Sequence, residues 1–190
     1  MTELEQLFLA MVWSLWALYW MISAWDVKRT MRHESLLSRL GHLGPLAVTG
    51  LLLAPRQPPW GWLAANIFTS NPLTSGAGLA MVVGGLSFCV WARRALGRNW
   101  SGIVTVKEGH ELVREGPYRM VRHPIYTGLV LAFVGMALVS AQWRGVLAVA
   151  IGVGAFWRKL RLEERWMTEI FGQRYVDYRE HTKALIPGLL

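Results

Sequence analysis

Long apolar runs separated by basic, polar segments set the frame of this chain. Leu7–Trp25 is a 19-residue stretch without a charge, long enough to cross the hydrocarbon core of a bilayer. Trp13, Trp16, Trp20 and Trp25 lie 3, 4 and 5 apart within it. A helix puts them roughly along one side, which reads as an aromatic face toward lipid or a neighbouring helix. Asp26–Leu40 is polar and basic, with Met31, Leu36, Leu37 and Leu40 giving it a partial apolar face; that pattern suits the membrane interface, with His33 and Glu34 solvated. Gly41–Ala54 is a second apolar run, short for a span unless its helix starts near Leu36, and Pro55–Pro59 breaks it. Trp60–Phe68 is too short to cross and rich in Trp, so it reads as interfacial, and Asn71-Pro72 as a turn. Gly76–Trp91 is a third span ending at Arg93-Arg94. Its Gly78 and Gly85 are seven apart, on one face that a neighbouring helix can approach closely. Tyr126–Ala141 and Gly145–Trp157 are the fourth and fifth spans, joined by so few residues that they must form a tight antiparallel hairpin. Arg158–Phe171 continues as a charged amphipathic helix, Gly172 interrupts it, and Tyr175–Lys183 is a further helix before Pro187.

The expected fold is thus an all-α integral membrane protein with about five transmembrane helices, a long central loop and a C-terminal helical tail. Its 190 residues are one domain by length, with residues 1–75 supplying N-terminal spans and interfacial segments and 76–190 the functional core. Composition agrees: 53% of residues are hydrophobic and 17% charged, against about a quarter charged in soluble domains. Of the 20 Lys and Arg residues, 18 fall in the segment 26–40, the loop 93–122 and the tail from Arg158. Five spans with the N-terminus outside put all of these on one side, which the positive-inside rule makes cytoplasmic. The net charge of +8 is thereby accounted for beside anionic headgroups, without nucleic acid. Short loops suggest a bacterial inner membrane. The first run lacks a basic segment before it and a cleavage pattern after it, so no cleavable signal is expected. Cys89 is the single cysteine, without a partner for an intramolecular disulfide, and reads as a small buried hydrophobe.

The candidate chemistry sits in His110–Gly128, which holds two of the five histidines, two tyrosines, two prolines and three arginines. A plain connection between spans needs only a few residues. No Gly-x-Gly-x-x-Gly follows a strand, and there is no P-loop, His-Glu-x-x-His or Cys-x-x-Cys. His110 and His123 are 13 apart, without a regular metal-ligand spacing, so no metal is expected. Pro124 suits the first position of the fourth helix, with His123 near its cap, and such a helix start attracts a carboxylate or phosphate. Tyr126 projects one turn further in. The pair Glu163-Glu164 has two readings: a solvated pair balanced by Arg161 and Arg165, or a carboxylate that holds the amine or cation of a ligand.

Several motifs together resemble the integral-membrane isoprenylcysteine carboxyl methyltransferases and their bacterial and archaeal, phospholipid methyltransferase-like relatives. They are Leu96-Gly-Arg-Asn-Trp-Ser101, His110-Glu-Leu-Val113, Gly116-x-Tyr118 and Arg122-His-Pro-Ile-Tyr126-x-Gly128, then a hydrophobic hairpin, Glu163-Glu164, Phe171-Gly172, Tyr175, Tyr178 and Ile186-Pro187. The match covers roughly the last hundred residues in order and spacing. It implies methyl transfer dependent on S-adenosyl-L-methionine, in a pocket between the cytosolic loop and the tail. By the same resemblance His110, Glu111, Leu112, Val113, Tyr118, His123, Pro124, Ile125 and Tyr126 line that pocket, and Glu163 holds the cofactor's amino group. The basic position one turn before Glu163, associated with the substrate carboxylate in the eukaryotic enzymes, is Lys159, flanked by Arg158 and Arg161. Lys lacks the planar fork of Arg. No residue is implied as an acid or base; Tyr126 and Glu163 position the reactants. A methyl sulfonium is already activated, so the protein has to align it with its acceptor and exclude water. Five spans around the site imply a lipid-like acceptor entering from the bilayer. Alternatives are methyl transfer to a phospholipid amine or small thiol, and a sterol-reductase-like oxidoreductase.

Overall fold

The structure, a computed structural model, describes residues 1–54, 61–109 and 111–189. The expected break at Pro55–Pro59, the start of the interfacial segment at Trp60, and His110 lie outside the described residues. Helix α1 (Glu3–Ser23) starts at Thr2, whose hydroxyl accepts from the Glu5 N–H while Glu5 accepts from the Thr2 N–H, a reciprocal cap that satisfies two orphan donors. Leu4, Leu7, Met11, Leu15, Leu18 and Ile22 are exposed along its outer face. Helix α2 (Leu36–Leu53) begins at Leu36 behind a Ser35 cap, so the second apolar run does reach a spanning length. Helix α3 (Pro72–Leu96) is capped by Asn71 and opens on Pro72; it runs beyond the expected 76–91 at both ends. These three are long and apolar enough to cross a bilayer, and helix α4 (Pro124–Ser140) is apolar but shorter. A membrane protein follows from them.

Helices α3 and α4 pack back to back. Gly78 meets Gly135 and Val139, and Gly85 meets Gly128 and Ala132; a Cβ on Gly85 would lie 2.4 Å from the Gly128 carbonyl oxygen. After α4, Ala141 turns in the left-handed region (φ 54°), and helix α5 (Trp143–Phe171) returns alongside α4 and α2. Its 29 residues are unbroken, about 43 Å at 1.5 Å per residue. That exceeds the ~30 Å of a hydrocarbon core, and apart from Arg144 the charges of the helix lie in its second half, from Arg158. Gly172 (φ 55°) ends α5 and the chain folds back through helix α6 (Gln173–His181). The core is shared by all five long helices, with Val82, Ala132, Val139 and Ala148 at zero exposure.

One expectation needs correction, and the mostly helical fold carries one addition. The addition is a two-stranded ribbon: β1 (Thr30–His33) pairs antiparallel with β2 (Thr105–Lys107). The connection between α1 and α2 is thereby strapped to the central loop, with further backbone bonds from Lys28 N to Arg98 O and from Glu34 N to Val104 O. Backbone groups in a long connection need partners, and two loops crossing side by side supply them. Glu34 is not solvated but 3% exposed; it accepts from the Ser38 hydroxyl (2.8 Å) and the Val104 N–H (3.3 Å), with His42 Nε2 3.3 Å away. Arg144, at the start of α5, is buried and donates to Leu52 O and Ala54 O. It satisfies the carbonyls left open at the end of α2.

Candidate active site

A cavity of about 500 Å³ opens between the central loop and the charged half of α5. On α5 the lining residues are Phe156, Lys159, Glu163 and Met167, spaced 3, 4 and 4, which is one stripe of a helix. Facing them are loop residues 99–105 and 111–113, and α4 contributes Ile125, Tyr126, Leu129 and Phe133. Tyr118, His123, Tyr175 and Tyr178 close the polar end, and Trp13, Trp16 and Trp20 of α1 with Leu43 and Leu46 of α2 form the apolar wall.

The polar end is an ion-pair network at the start of α4. The Arg122 guanidinium donates to Glu164 Oε1 through Nε (2.8 Å) and Nη2 (2.6 Å), and also to the carbonyls of Arg179 and Thr182. His123 lies between the two carboxylates, Nε2 3.2 Å from Glu164 Oε1 and Nδ1 3.5 Å from Glu163 Oε2. The Tyr126 hydroxyl donates to Glu163 Oε1 at 2.6 Å. Arg122 N–H and His123 N–H bond the carbonyls of Lys183 and Ala184, so the C-terminal segment pins this helix start. The anion that the helix start attracts comes from the chain itself.

Burial works against ionisation of both carboxyls. For Glu164, hydrogen bonds from His123 and Arg122 outweigh burial and bring the carboxyl down to about 2. For Glu163, His123, Lys159 and the Tyr126 hydroxyl outweigh it and hold the carboxyl below its usual range. Burial disfavours a charged His123, but its bonds to Glu163 and Glu164 prevail and raise its pKa. Glu164 is therefore consumed by Arg122 and His123, while Glu163 stays ionised on the cavity wall. Lys159, 6% exposed, donates to Gly102 O (2.8 Å) and stands 5.4 Å from the centre of the Tyr126 ring.

Of the residues singled out from the sequence, Glu111, Leu112, Val113, Tyr118, His123, Ile125, Tyr126, Lys159 and Glu163 line the one cavity. Pro124 is buried at the first position of α4 and does not line it. Arg158 and Arg161 do not line it either, a correction to their place beside Lys159. Arg158 donates to Ser38 O against Gly41, and Arg161 stacks on Trp157. Neighbours one and two residues along a helix point to other faces. Arg161 and Arg165 do not balance the acidic pair; Arg122 and His123 do.

The sequence reading missed two groups. The Trp13–Trp16–Trp20 stripe faces the cavity rather than lipid, and Trp25 falls beyond α1 and is 89% exposed. Helical spacing showed the stripe but not which way it turns. Asn99 also lines the cavity, its Nδ2 donating to Glu111 Oε2 (3.2 Å) while its Oδ1 is buried without a partner. The Gly-Arg-Asn-Trp-Ser motif was the available signal.

Fold and site together define a helical membrane protein with a charged pocket continuous with an aromatic recess. The family described as phospholipid methyltransferase matches residues 73–174, more than half of the chain, and the protein belongs to this family. Its relatives include protein-S-isoprenylcysteine O-methyltransferase B of Arabidopsis thaliana, 29% identical over 116 residues, 60% of this chain and 59% of that protein. The Saccharomyces cerevisiae protein-S-isoprenylcysteine O-methyltransferase is 28% identical over 124 residues (62% and 51%). Methanethiol S-methyltransferase of Mycobacterium tuberculosis is 41% identical over 71 residues (37% and 28%). The matched stretch thus covers about three-fifths or less of these relatives' length.

Proposed function

We propose that this protein transfers a methyl group from S-adenosylmethionine to the carboxylate of a lipidic, isoprenylcysteine-like acceptor at the cytosolic membrane surface. The observation that carries the reading is the α5 stripe. It presents an ionised carboxylate, Glu163, and an ammonium, Lys159, one turn apart on a wall that continues into an aromatic recess. The names of the relatives in Arabidopsis and yeast support the reaction class.

The residues fit the cofactor. Glu163 suits its ammonium, the aromatic faces of Tyr118, Tyr126 and Trp100 suit a cationic sulfur, and the unpartnered Asn99 Oδ1 supplies an acceptor for one of its donors. Glu111, Leu112, Val113, His123 and Ile125 complete its walls. When bound, S-adenosylmethionine supplies a methyl group on a positively charged sulfur; a C–O bond to the acceptor replaces the C–S bond, and a neutral thioether leaves. Lys159 holds the acceptor carboxylate by charge, with the Gly102 carbonyl fixing its direction. A carboxylate is already a nucleophile, so no proton has to be removed. His123 and Arg122, by neutralising Glu164, leave Glu163 as the anion facing the cofactor. The apolar recess excludes water from the reacting atoms.

The same reading assigns five spans (α1 to α4 and the first half of α5), an N-terminus outside, and a cytoplasmic pocket in a bacterial inner membrane. It rests on the one-sided placement of Lys and Arg. A small thiol is the second reading, favoured by the methanethiol relatives; the aromatic recess has no work to do for such an acceptor. The test is methylation in detergent with label in the donor methyl group. S-geranyl and S-farnesyl N-acetylcysteine, N-acetylcysteine, methanethiol and phosphatidylethanolamine are offered as acceptors. Label in prenylated carboxylates alone is the expected result. Label in methanethiol or the phospholipid alone would overturn the acceptor assignment, and failure to bind the donor would overturn the reaction.

A further inference from the structure

Below the charged residues the cavity reaches a common depth on four helices, where the last lining residues are Trp13 on α1, Leu46 on α2, Phe133 on α4 and Phe156 on α5. One turn further, Leu9 and Met136 are buried in the core instead. Two aromatic rows run down the walls. In one, the rings of His123, Tyr126, Phe156, Phe133 and Trp13 stack in sequence at centroid distances of 5.4, 4.9, 6.0 and 6.3 Å, every interplanar angle being 20° or less. In the other, Trp100 packs on Trp20, Trp20 on Trp16 and Trp16 on Trp13. Trp13 joins the rows, and the Trp13–Phe133 stack spans the pouch from α1 to α4. Phe133 in turn packs closely on Gly152 of α5, where an added Cβ would lie 3.0 Å from its ring.

We infer that the Trp13–Phe133 stack is the floor of the acceptor site and sets how long a hydrocarbon tail the protein accepts. The inference rests on the proposed methylation of an amphiphile whose polar end sits at Glu163 and Lys159. Tyr126 and Phe133 are seven residues apart on α4, about 10 Å of helical rise. An extended chain advances ~1.2 Å per bond, so about eight or nine chain atoms reach from the level of the Tyr126 ring to the floor. The acceptor favoured by this geometry has a medium-length tail, shorter than that of a farnesylated cysteine. A longer straight tail meets two rings braced against each other and against α5.

The experiment measures kcat/KM for N-acetyl-S-alkylcysteines of increasing chain length, from S-butyl to S-hexadecyl, with donor binding followed in parallel to show that each variant is folded. For the unsubstituted protein, kcat/KM rises with length and then falls by about tenfold or more once the tail exceeds the pouch, the discrimination a tight apolar site exerts against excess methylenes. In Trp13→Ala, and less so in Phe133→Leu, the fall moves to longer tails. The ratio of kcat/KM for long over short acceptors then rises about tenfold. A ratio independent of tail length, or a fall that stays put in both variants, overturns the floor while leaving methyl transfer standing. Failure of every acceptor in the series to be methylated, with the donor still bound, overturns the acceptor reading and the floor with it.

Discussion

Replacing Glu163 by Gln removes one charge from the cavity wall and little else. The Glu163 side chain is 23% exposed, and its Oε1 accepts from the Tyr126 hydroxyl at 2.6 Å. A glutamine oxygen can accept the same bond, so the stack of Tyr126 on Phe156 and the start of α4 are kept. His123 loses one carboxylate at 3.5 Å but retains the nearer Glu164 at 3.2 Å. The structural cost is therefore small, below about 1 kcal/mol for one weakened contact. In the cofactor complex the same change replaces the anionic acceptor of the ammonium's hydrogen bond by a neutral amide oxygen. Hydrogen bonds to charged groups contribute about 1.5–3 kcal/mol against about 0.5–1.5 kcal/mol for neutral ones, and losing the ~1–1.5 kcal/mol difference, at ~1.4 kcal/mol per decade, weakens Kd by about 5- to 12-fold. Titration calorimetry in detergent with S-adenosylmethionine reads Kd directly, and a thermal melt of the same sample reads the fold. A Kd within twofold of the unsubstituted protein would refute the assignment of Glu163 to the cofactor. A collapsed melt would show instead that the carboxylate holds α5 to α4.

Three further predictions follow from the packing and the ion pairs. Gly85→Ala puts a methyl group 2.4 Å from the Gly128 carbonyl oxygen and 2.9 Å from Ala132 N, backbone atoms that cannot yield; overpacking of this kind costs about 1–3 kcal/mol or more. Gly84→Ala, whose Cβ meets nothing within 4 Å, is the control, and equal melting temperatures for the two would refute the close α3–α4 approach. Glu34→Ala strips the buried Val104 N–H of its acceptor, removes the carboxylate 3.3 Å from His42 Nε2, and lowers stability by about 1–3 kcal/mol. Because Val104 and Thr105 line the cavity, donor affinity falls with it, and an unchanged Kd would separate the β1–β2 strap from the site. Stability against pH should have two limbs. Glu164 ionises at about 2 in the fold against 4.5 as a free side chain, so its contribution is full above 4.5 and is lost as pH falls toward 2. His123 is raised above 6.5, so its contribution is full below 6.5 and is lost as pH rises through the raised value. Glu163, also held below its usual range, adds to the acid limb, so melts of Glu164→Gln should show a shallower one; an unchanged acid limb would refute the assignment.

Much of the helical layout was legible because apolar runs of spanning length have one economical conformation in lipid. The start of α2 at Leu36, the hairpin after Ala141 and the α3 glycine face all follow from local pattern. Glu34 was misread because burial of a single carboxylate depends on which distant N–H and imidazole reach it, and neither Val104 nor His42 is its helical neighbour. The strap of β1 on β2 was invisible for the same reason, as it joins residues more than seventy positions apart. For the acidic pair, the sequence offered Arg161 and Arg165 as partners by proximity; the fold chose Arg122 and His123 across the site.

By itself, the sequence determined the membrane class, the clustering of the basic residues and the segment that carries the polar groups, since these depend on composition, run length and charge placed along the chain. It also carried the family, through motifs spread over the last hundred residues. Only the tertiary structure decided that Lys159 and Glu163 share a cavity which Arg158 and Arg161 do not reach. It likewise turned the α1 tryptophans inward and closed the recess at Trp13 and Phe133. Helical periodicity specifies which residues share a face; the direction that face points is set by packing against helices far away in the chain.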